Sequence, residues 1–120
     1  MTAQLQIQAQ DLRGCVIARP VGEVDLSNAS RLEGRLCALI ERGHMVVDLS
    51  QVTFVDSTAL SAVLVAYRRG QVLGHTLWLS GAQGPVRRVL EITQLDVLLE
   101  HCDDVGDAVE AALSAFEKTS

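Results

Sequence analysis

Lysine is almost absent from this chain: of ten basic residues in 120, Lys118 alone is a lysine, and fifteen acids bring the net charge to −5. A chain so short of positive charge lacks the electrostatic footprint of a nucleic-acid binder. Aromatic residues make up 3% of the sequence, too few to build stacking platforms for bases. Cysteine occurs three times, at Cys15, Cys37 and Cys102, with no C-x-x-C pair. That odd, dispersed set signals neither a disulfide framework nor a zinc site, and it fits a reducing compartment. No apolar run is long enough to span a bilayer, and the first residues, Met1 to Gln6, show no basic segment followed by an apolar core. The expectation is a cytoplasmic protein with no direct membrane insertion and no nucleic-acid partner. The chain also lacks a Gly-x-x-x-x-Gly-Lys phosphate loop and a Gly-x-Ser-x-Gly nucleophile elbow, so an enzyme is not expected.

What is abundant is aliphatic: hydrophobic residues reach 48% with few aromatics among them. At this length one domain, residues 1–120, is expected, able to bury roughly two-thirds of its unfolded surface without metal or disulfide. Leu5 and Ile7 alternate with glutamines, Arg13-Gly14 punctuates, and Val16-Ile17-Ala18 resumes an extended pattern, which predicts a β-hairpin. Pro20 then assigns the end of the second strand to an edge or an irregular position, and Gly22-Glu23-Val24-Asp25 reads as a loop. From Ser27 the period changes. Ala29, Leu32, Leu36, Leu39 and Ile40 share a helical face, with Ser27 or Asn28 as N-cap and Gly43 as stop. A strand Met45–Leu49 follows, then a helix opened by Asp56 and ended by Gly70. Further on come a short strand Thr76–Leu79, with Trp78 half-buried in it, and a helix opened by Gly84-Pro85. A short strand over Gln94–Leu99 and a final helix from Asp103-Asp104, with Ala108, Ala111, Ala112, Ala115 and Phe116 on its apolar side, complete the chain. Strands separated by helices predict an α/β fold: a mixed, largely parallel sheet with an N-terminal β-hairpin and about four helices.

The segment richest in chemistry is Val52-Thr53-Phe54-Val55-Asp56-Ser57-Thr58-Ala59-Leu60, where a hydrophobic run gives way to an acid and two hydroxyls at the start of a helix. Asp is among the best N-caps, and Ser and Thr are ordinary first-turn residues, so capping alone explains the pattern. The free N–H groups and positive dipole end there would also favour an added phosphate on Ser57. Asp25 closes another strand, and βα architecture tends to gather such loops at one edge of a sheet, so two carboxylates could flank one hydroxyl. His44, His75 and His101 are isolated and read as solvated or locally hydrogen-bonded rather than as metal ligands. Cys15 and Cys37 read as small core residues. Arg68-Arg69 and Arg87-Arg88 are assigned to helix-dipole complementation and solvation, with phosphate or nucleotide binding as the alternative. Leu60, Val63 and Val86 fit a partner surface and core packing equally well.

Gly22-Glu23-Val24-Asp25, an amphipathic helix, Val46-Val47-Asp48-Leu49-Ser50 and Phe54-Val55-Asp56-Ser57-Thr58-Ala59-Leu60, taken in order, resemble the STAS domain, and within it the single-domain anti-sigma-factor antagonists of bacteria. The resemblance runs over essentially the whole chain. It implies a partner switch: the unphosphorylated antagonist binds a serine-kinase anti-sigma factor and frees a sigma factor, and phosphorylation by that kinase ends the complex. Ser57 would be the phosphoacceptor, with Thr58 as the alternative. Asp25, Asp56, Ser57, Thr58, Leu60 and Ser61 would meet the partner, a phosphatase would reset the switch, and neither cofactor nor metal is implied. The same resemblance permits a STAS-only cytoplasmic accessory subunit of a lipid-transport ABC system, whose Asp-Ser-Thr edge would touch an ATPase. The chain departs from the frequent Gly-Leu-Gly that follows the hydroxyls, carrying Ala59-Leu60-Ser61 instead.

Overall fold

The computed structural model describes the backbone of residues 5–119 and the side chains of residues 5–115. Strands β1 (Gln6–Leu12) and β2 (Cys15–Val24) form the expected hairpin. Arg13 and Gly14 carry φ of 54° and 87° at its two-residue turn, the paired positive angles that match the twist of flanking strands. Then come α1 (Ala29–Ile40), β3 (Met45–Asp48), β4 (Val52–Val55), α2 (Ser57–Leu73), β5 (Leu77–Ser80), α3 (Gly84–Ile92), the single turn α4 (Leu95–Leu98), β6 (His101–Cys102) and α5 (Val105–Thr119). The result is a mixed α/β fold. The sheet runs β1-β2-β3-β5-β6 with β4 beside β2, antiparallel only at the hairpin.

Both faces of the sheet are covered, which is why β3 is buried at every position rather than alternately. Val16, Ala18, Met45, Val47 and Leu79 face a core shared with Leu32, Leu36, Leu39 and Ile40 of α1 and Ala59, Ala62, Val63 and Ala66 of α2. Residues of opposite parity, Cys15, Ile17 and Val46, pack under Ala108, Val109 and Ala112 of α5, with the half-buried Trp78 at the margin. Asp48 lies buried at the end of β3, where it accepts from Arg19 Nε at 2.7 Å and from the Ser50 N–H at 3.0 Å. Burial alone would raise its carboxyl pKa, but these donors outweigh burial and hold it below the usual carboxylate range.

Three expectations need correction. Gly22-Glu23-Val24 is strand rather than loop: β2 leaves β3 after Ala18 and pairs with β4 from Gly22, with a register shift between Gly22 and Glu23. The ladder partner that makes it a strand is remote in sequence. Pro20 lies where β2 exchanges one parallel neighbour for the other, an irregular position as read from the sequence. The helix opened by Asp56 runs past Gly70 to Leu73 and is stopped by Gly74 in the left-handed conformation at φ 77°. Gln94–Leu99 is a helical turn, not a strand. Leu95 and Leu99, four residues apart, are buried while Val97 and Leu98 are exposed, and the short apolar run fitted either period. The described residues hold four longer helices, in line with the expected number, and this single turn as a fifth. Phe116 lies outside the described side chains.

Gly70 has a packing reason instead. A Cβ there would sit 2.7 Å from the His75 carbonyl oxygen and 3.0 Å from Ile40 Cγ1, and His75 Nδ1–H donates to the Ile40 carbonyl at 2.6 Å across the same contact. The glycine lets the C-terminal ends of α1 and α2 approach the loop entering β5. Gly70→Ala gains about 1 kcal/mol of helix propensity but forces backbone apart. It is expected to destabilise the protein by about 1–3 kcal/mol, measured by urea unfolding; a stabilised variant would contradict this packing account.

Candidate functional site

Two loops meet at the carboxyl ends of β2 and β4. The Asp56 N–H donates to the Val24 carbonyl at 3.3 Å, extending the ladder by one residue, and α2 begins immediately afterwards. Asp56 is the N-cap, in extended conformation. Its Oδ1 accepts from Thr58 N at 2.9 Å, from Ala59 N at 3.1 Å and from the Thr58 hydroxyl, while Oδ2 accepts from Leu26 N at 3.1 Å. The Thr58 hydroxyl bond is the strongest influence holding the Asp56 carboxyl below its ordinary pKa, with the Ala59, Thr58 and Leu26 amides adding to it against partial desolvation.

The facing loop is equally well hydrogen-bonded. The Asp25 carboxylate accepts from Ser27 N at 2.9 Å and from Ser27 Oγ at 2.5 Å, and the Asp25 N–H donates to Asn28 Oδ1 at 3.0 Å. Asn28 is the residue that precedes α1, but its side chain does not cap the helix. Instead its Nδ2 donates to the Glu23 carbonyl at 2.9 Å. Asp25 therefore shapes its own turn. Among the described residues no hydrogen bond joins it to Ser57, so the structure brings the two acids to adjoining loops without placing both carboxylates on one hydroxyl.

The two hydroxyls differ sharply. Thr58 is half-buried and its O–H is committed to Asp56, whereas Ser57 is the exposed first residue of α2 and its Oγ has no protein partner among the described residues. Ser61 is exposed one turn further on, where its Oγ donates back to the Ser57 carbonyl at 3.0 Å. The assignment of Leu60 to the partner surface is corrected: it is 8% exposed and packs in the core, as part of the buried stripe Ala59, Leu60, Ala62, Val63 and Ala66 of α2. Val63 and Val86 are likewise core, and so is Ala59, whose methyl fills space beneath the helix rather than meeting a partner. The expectation that the helix end offers free amides is also revised, because Asp56 already occupies those of Thr58 and Ala59.

Sequence reasoning overlooked Leu26 and Phe54, exposed apolar residues at 78% and 46% beside this edge. Pattern alone gave no signal for them. Both are in phase with buried neighbours, Leu26 with Ala29 and Phe54 with Val52, so the exposure of each is visible only in the structure. Among the described residues no three His, Cys, Asp or Glu side chains gather to hold a metal, and no helix is long and apolar enough to cross a membrane.

The site is thus a small α/β module's edge that presents an unpartnered serine beside a helix-capping acid, on two hydrogen-bonded loops. A family model described as the STAS domain matches residues 6–108, and the chain belongs to that family. The anti-sigma F factor antagonist of Paenibacillus polymyxa is 27% identical over 108 residues, covering 88% of this chain and 92% of the relative. A crystal structure of an anti-sigma factor antagonist from Mycobacterium paratuberculosis superposes with a TM-score of 0.79 at 26% identity, covering 93% of this chain and 98% of that one. The Bacillus cell fate determinant SpoIIAA in its phosphorylated form shares the fold, with a TM-score of 0.65 at 17% identity and coverage of 90% and 98%.

Asp56→Ala removes the cap and the tie to Leu26, and is expected to cost about 0.5–2 kcal/mol. Because the folded pKa of Asp56 lies below its unfolded value, this contribution is complete above the unfolded carboxylate pKa near 4 and is lost as pH falls through the lower folded value. The stability difference between wild type and Asp56→Ala should therefore shrink below about pH 4 in urea titrations. A difference that stayed constant into strong acid would contradict the capping role.

Proposed function

We propose that this chain is a cytoplasmic anti-sigma-factor antagonist without catalysis of its own, switched by phosphorylation of Ser57. The observation that carries the reading is the contrast between the two hydroxyls: Ser57 Oγ is exposed and unpartnered at the first position of α2, while Thr58 is held by Asp56. Membership of the STAS family and the similarity to anti-sigma factor antagonists over nearly the whole chain support it. In this reading the unphosphorylated chain binds a serine-kinase anti-sigma factor and so frees a sigma factor. Asp25, Asp56, Ser57, Thr58 and Ser61 lie in the contact.

The switch follows from electrostatics. Ser57 Oγ attacks the γ-phosphorus of the kinase's ATP, the bond to the β–γ bridging oxygen breaks, ADP leaves and the hydroxyl proton passes to a base on the kinase. The product carries a charge of about −1.5 to −2. That phosphate stands one residue from the ionised Asp56, and the Thr58 and Ala59 amides that would otherwise receive an anion are already engaged. The new charge therefore remains unneutralised at the contact and opposes a partner surface matched to a neutral hydroxyl. Hydrolysis by a phosphatase restores binding.

Ser57→Ala is expected to bind the host's anti-sigma kinase as wild type does while accepting no phosphate from ATP, and Ser57→Asp to bind about tenfold more weakly or worse. Titration calorimetry and mass spectrometry of kinase reactions read both effects. If phosphate enters Thr58 in the wild type, or if both variants bind like wild type, the assignment fails. Co-purification with a transporter ATPase in place of a kinase would transfer the chain to the lipid-transport reading.

A further inference from the structure

Leu26 is an apolar side chain 78% exposed on a loop held by several hydrogen bonds. The Asp25 carboxylate holds Ser27, Asn28 holds both the Asp25 N–H and the Glu23 carbonyl, and the Asn28 and Ala29 amides donate to the Asp25 carbonyl at 3.1 and 2.9 Å. Leu26 itself is tied at its N–H to Asp56 Oδ2, the same carboxylate that caps the turn carrying Ser57. It takes no part in either face of the core. The fold thus fixes a hydrophobic side chain in water beside the one free hydroxyl of the site. A surface that covers Ser57 meets Leu26 as well. Because the loop is already ordered, docking on it sacrifices little backbone freedom. The other strongly exposed apolar residues, Val72 at the end of α2 and Ile92 and Val97 near α4, have no hydrogen-bonded connection to Asp56.

Resting on the function proposed above, we propose that Leu26 is the apolar anchor of the contact with the anti-sigma factor, inserting into an apolar recess of that partner beside the point that meets Ser57. Asp56 is the positioning residue that holds Leu26 there. The occupant is the anti-sigma factor because Leu26 and the Ser57 turn share one carboxylate and so present one continuous surface.

The test is calorimetric titration of the host's anti-sigma kinase with wild type, Leu26→Ala, Leu26→Met, Asp56→Asn, the double variant Leu26→Ala with Asp56→Asn, and Val72→Ala as an exposed control, with melting temperatures alongside. Leu26→Ala should weaken binding about tenfold or more without lowering the melting temperature, since only exposed surface is removed. Leu26→Met should recover most of the affinity, and Val72→Ala should bind like wild type. Asn also caps helices well, so Asp56→Asn keeps the α2 turn while losing the acceptor for Leu26 N–H. It should weaken binding in the wild type but add little in the Leu26→Ala background, a coupling that a purely structural role would not produce. Wild-type affinity in Leu26→Ala overturns the anchor while leaving the proposed function intact, and strictly additive effects overturn the positioning role of Asp56. A wild type that binds no anti-sigma kinase overturns both readings. If light scattering shows a wild-type dimer that Leu26→Ala dissociates, the occupant is a second copy and the proposal is wrong.

Discussion

The Asp56 carboxylate is the joint on which this edge of the molecule depends. One oxygen accepts the amides of Thr58 and Ala59 and the Thr58 hydroxyl, which starts α2 at a defined residue, and the other accepts the amide of Leu26, which fixes the loop between β2 and α1. Two segments thirty residues apart in sequence are thereby set against each other by one side chain. With the helix start fixed, Ser57 is left outermost with a free hydroxyl, while Leu60 and Val63 are turned onto the sheet.

That joint is possible only because the strands beneath it deliver both loops to the same place. β2 changes its parallel neighbour from β3 to β4 near Pro20, so Val24 and Val55 finish side by side and the Asp56 amide bonds the Val24 carbonyl. Apolar cover on both faces makes the central strands rigid: α1 and α2 lie on one side and α5 on the other. The part-buried pair of Arg19 and Asp48 links β2 to β3 on this platform. Ser57 is therefore displayed at the start of a helix whose preceding strand and facing loop are both tied by hydrogen bonds.

Much of this was legible in the residues. The hairpin at Arg13-Gly14, the stripe from Ala29 to Ile40, the cap at Asp56 and the proline in the first turn of α3 each follow from local chemistry: turn angles, helical period, side-chain acceptors and a missing N–H. The failures share one physical cause. Gly22-Glu23-Val24 became a strand through a partner thirty residues on, Gly70 serves a close approach to Ile40 and His75 rather than a helix stop, and the run from Leu95 to Leu99 satisfied two periods until packing chose the helical one.

The sequence by itself determined the alternation of strands and helices, the aliphatic core, the dearth of positive charge and the Asp-Ser-Thr segment at a helix start, because these are properties of neighbours along the chain. Only the tertiary structure decided which hydroxyl is free, that Asp25 serves its own turn, that Leu60 is core, and that Leu26 stands exposed beside Ser57. Those outcomes turn on which donors meet which acceptors across the sheet edge, and such pairings exist only once β2 and β4 lie side by side.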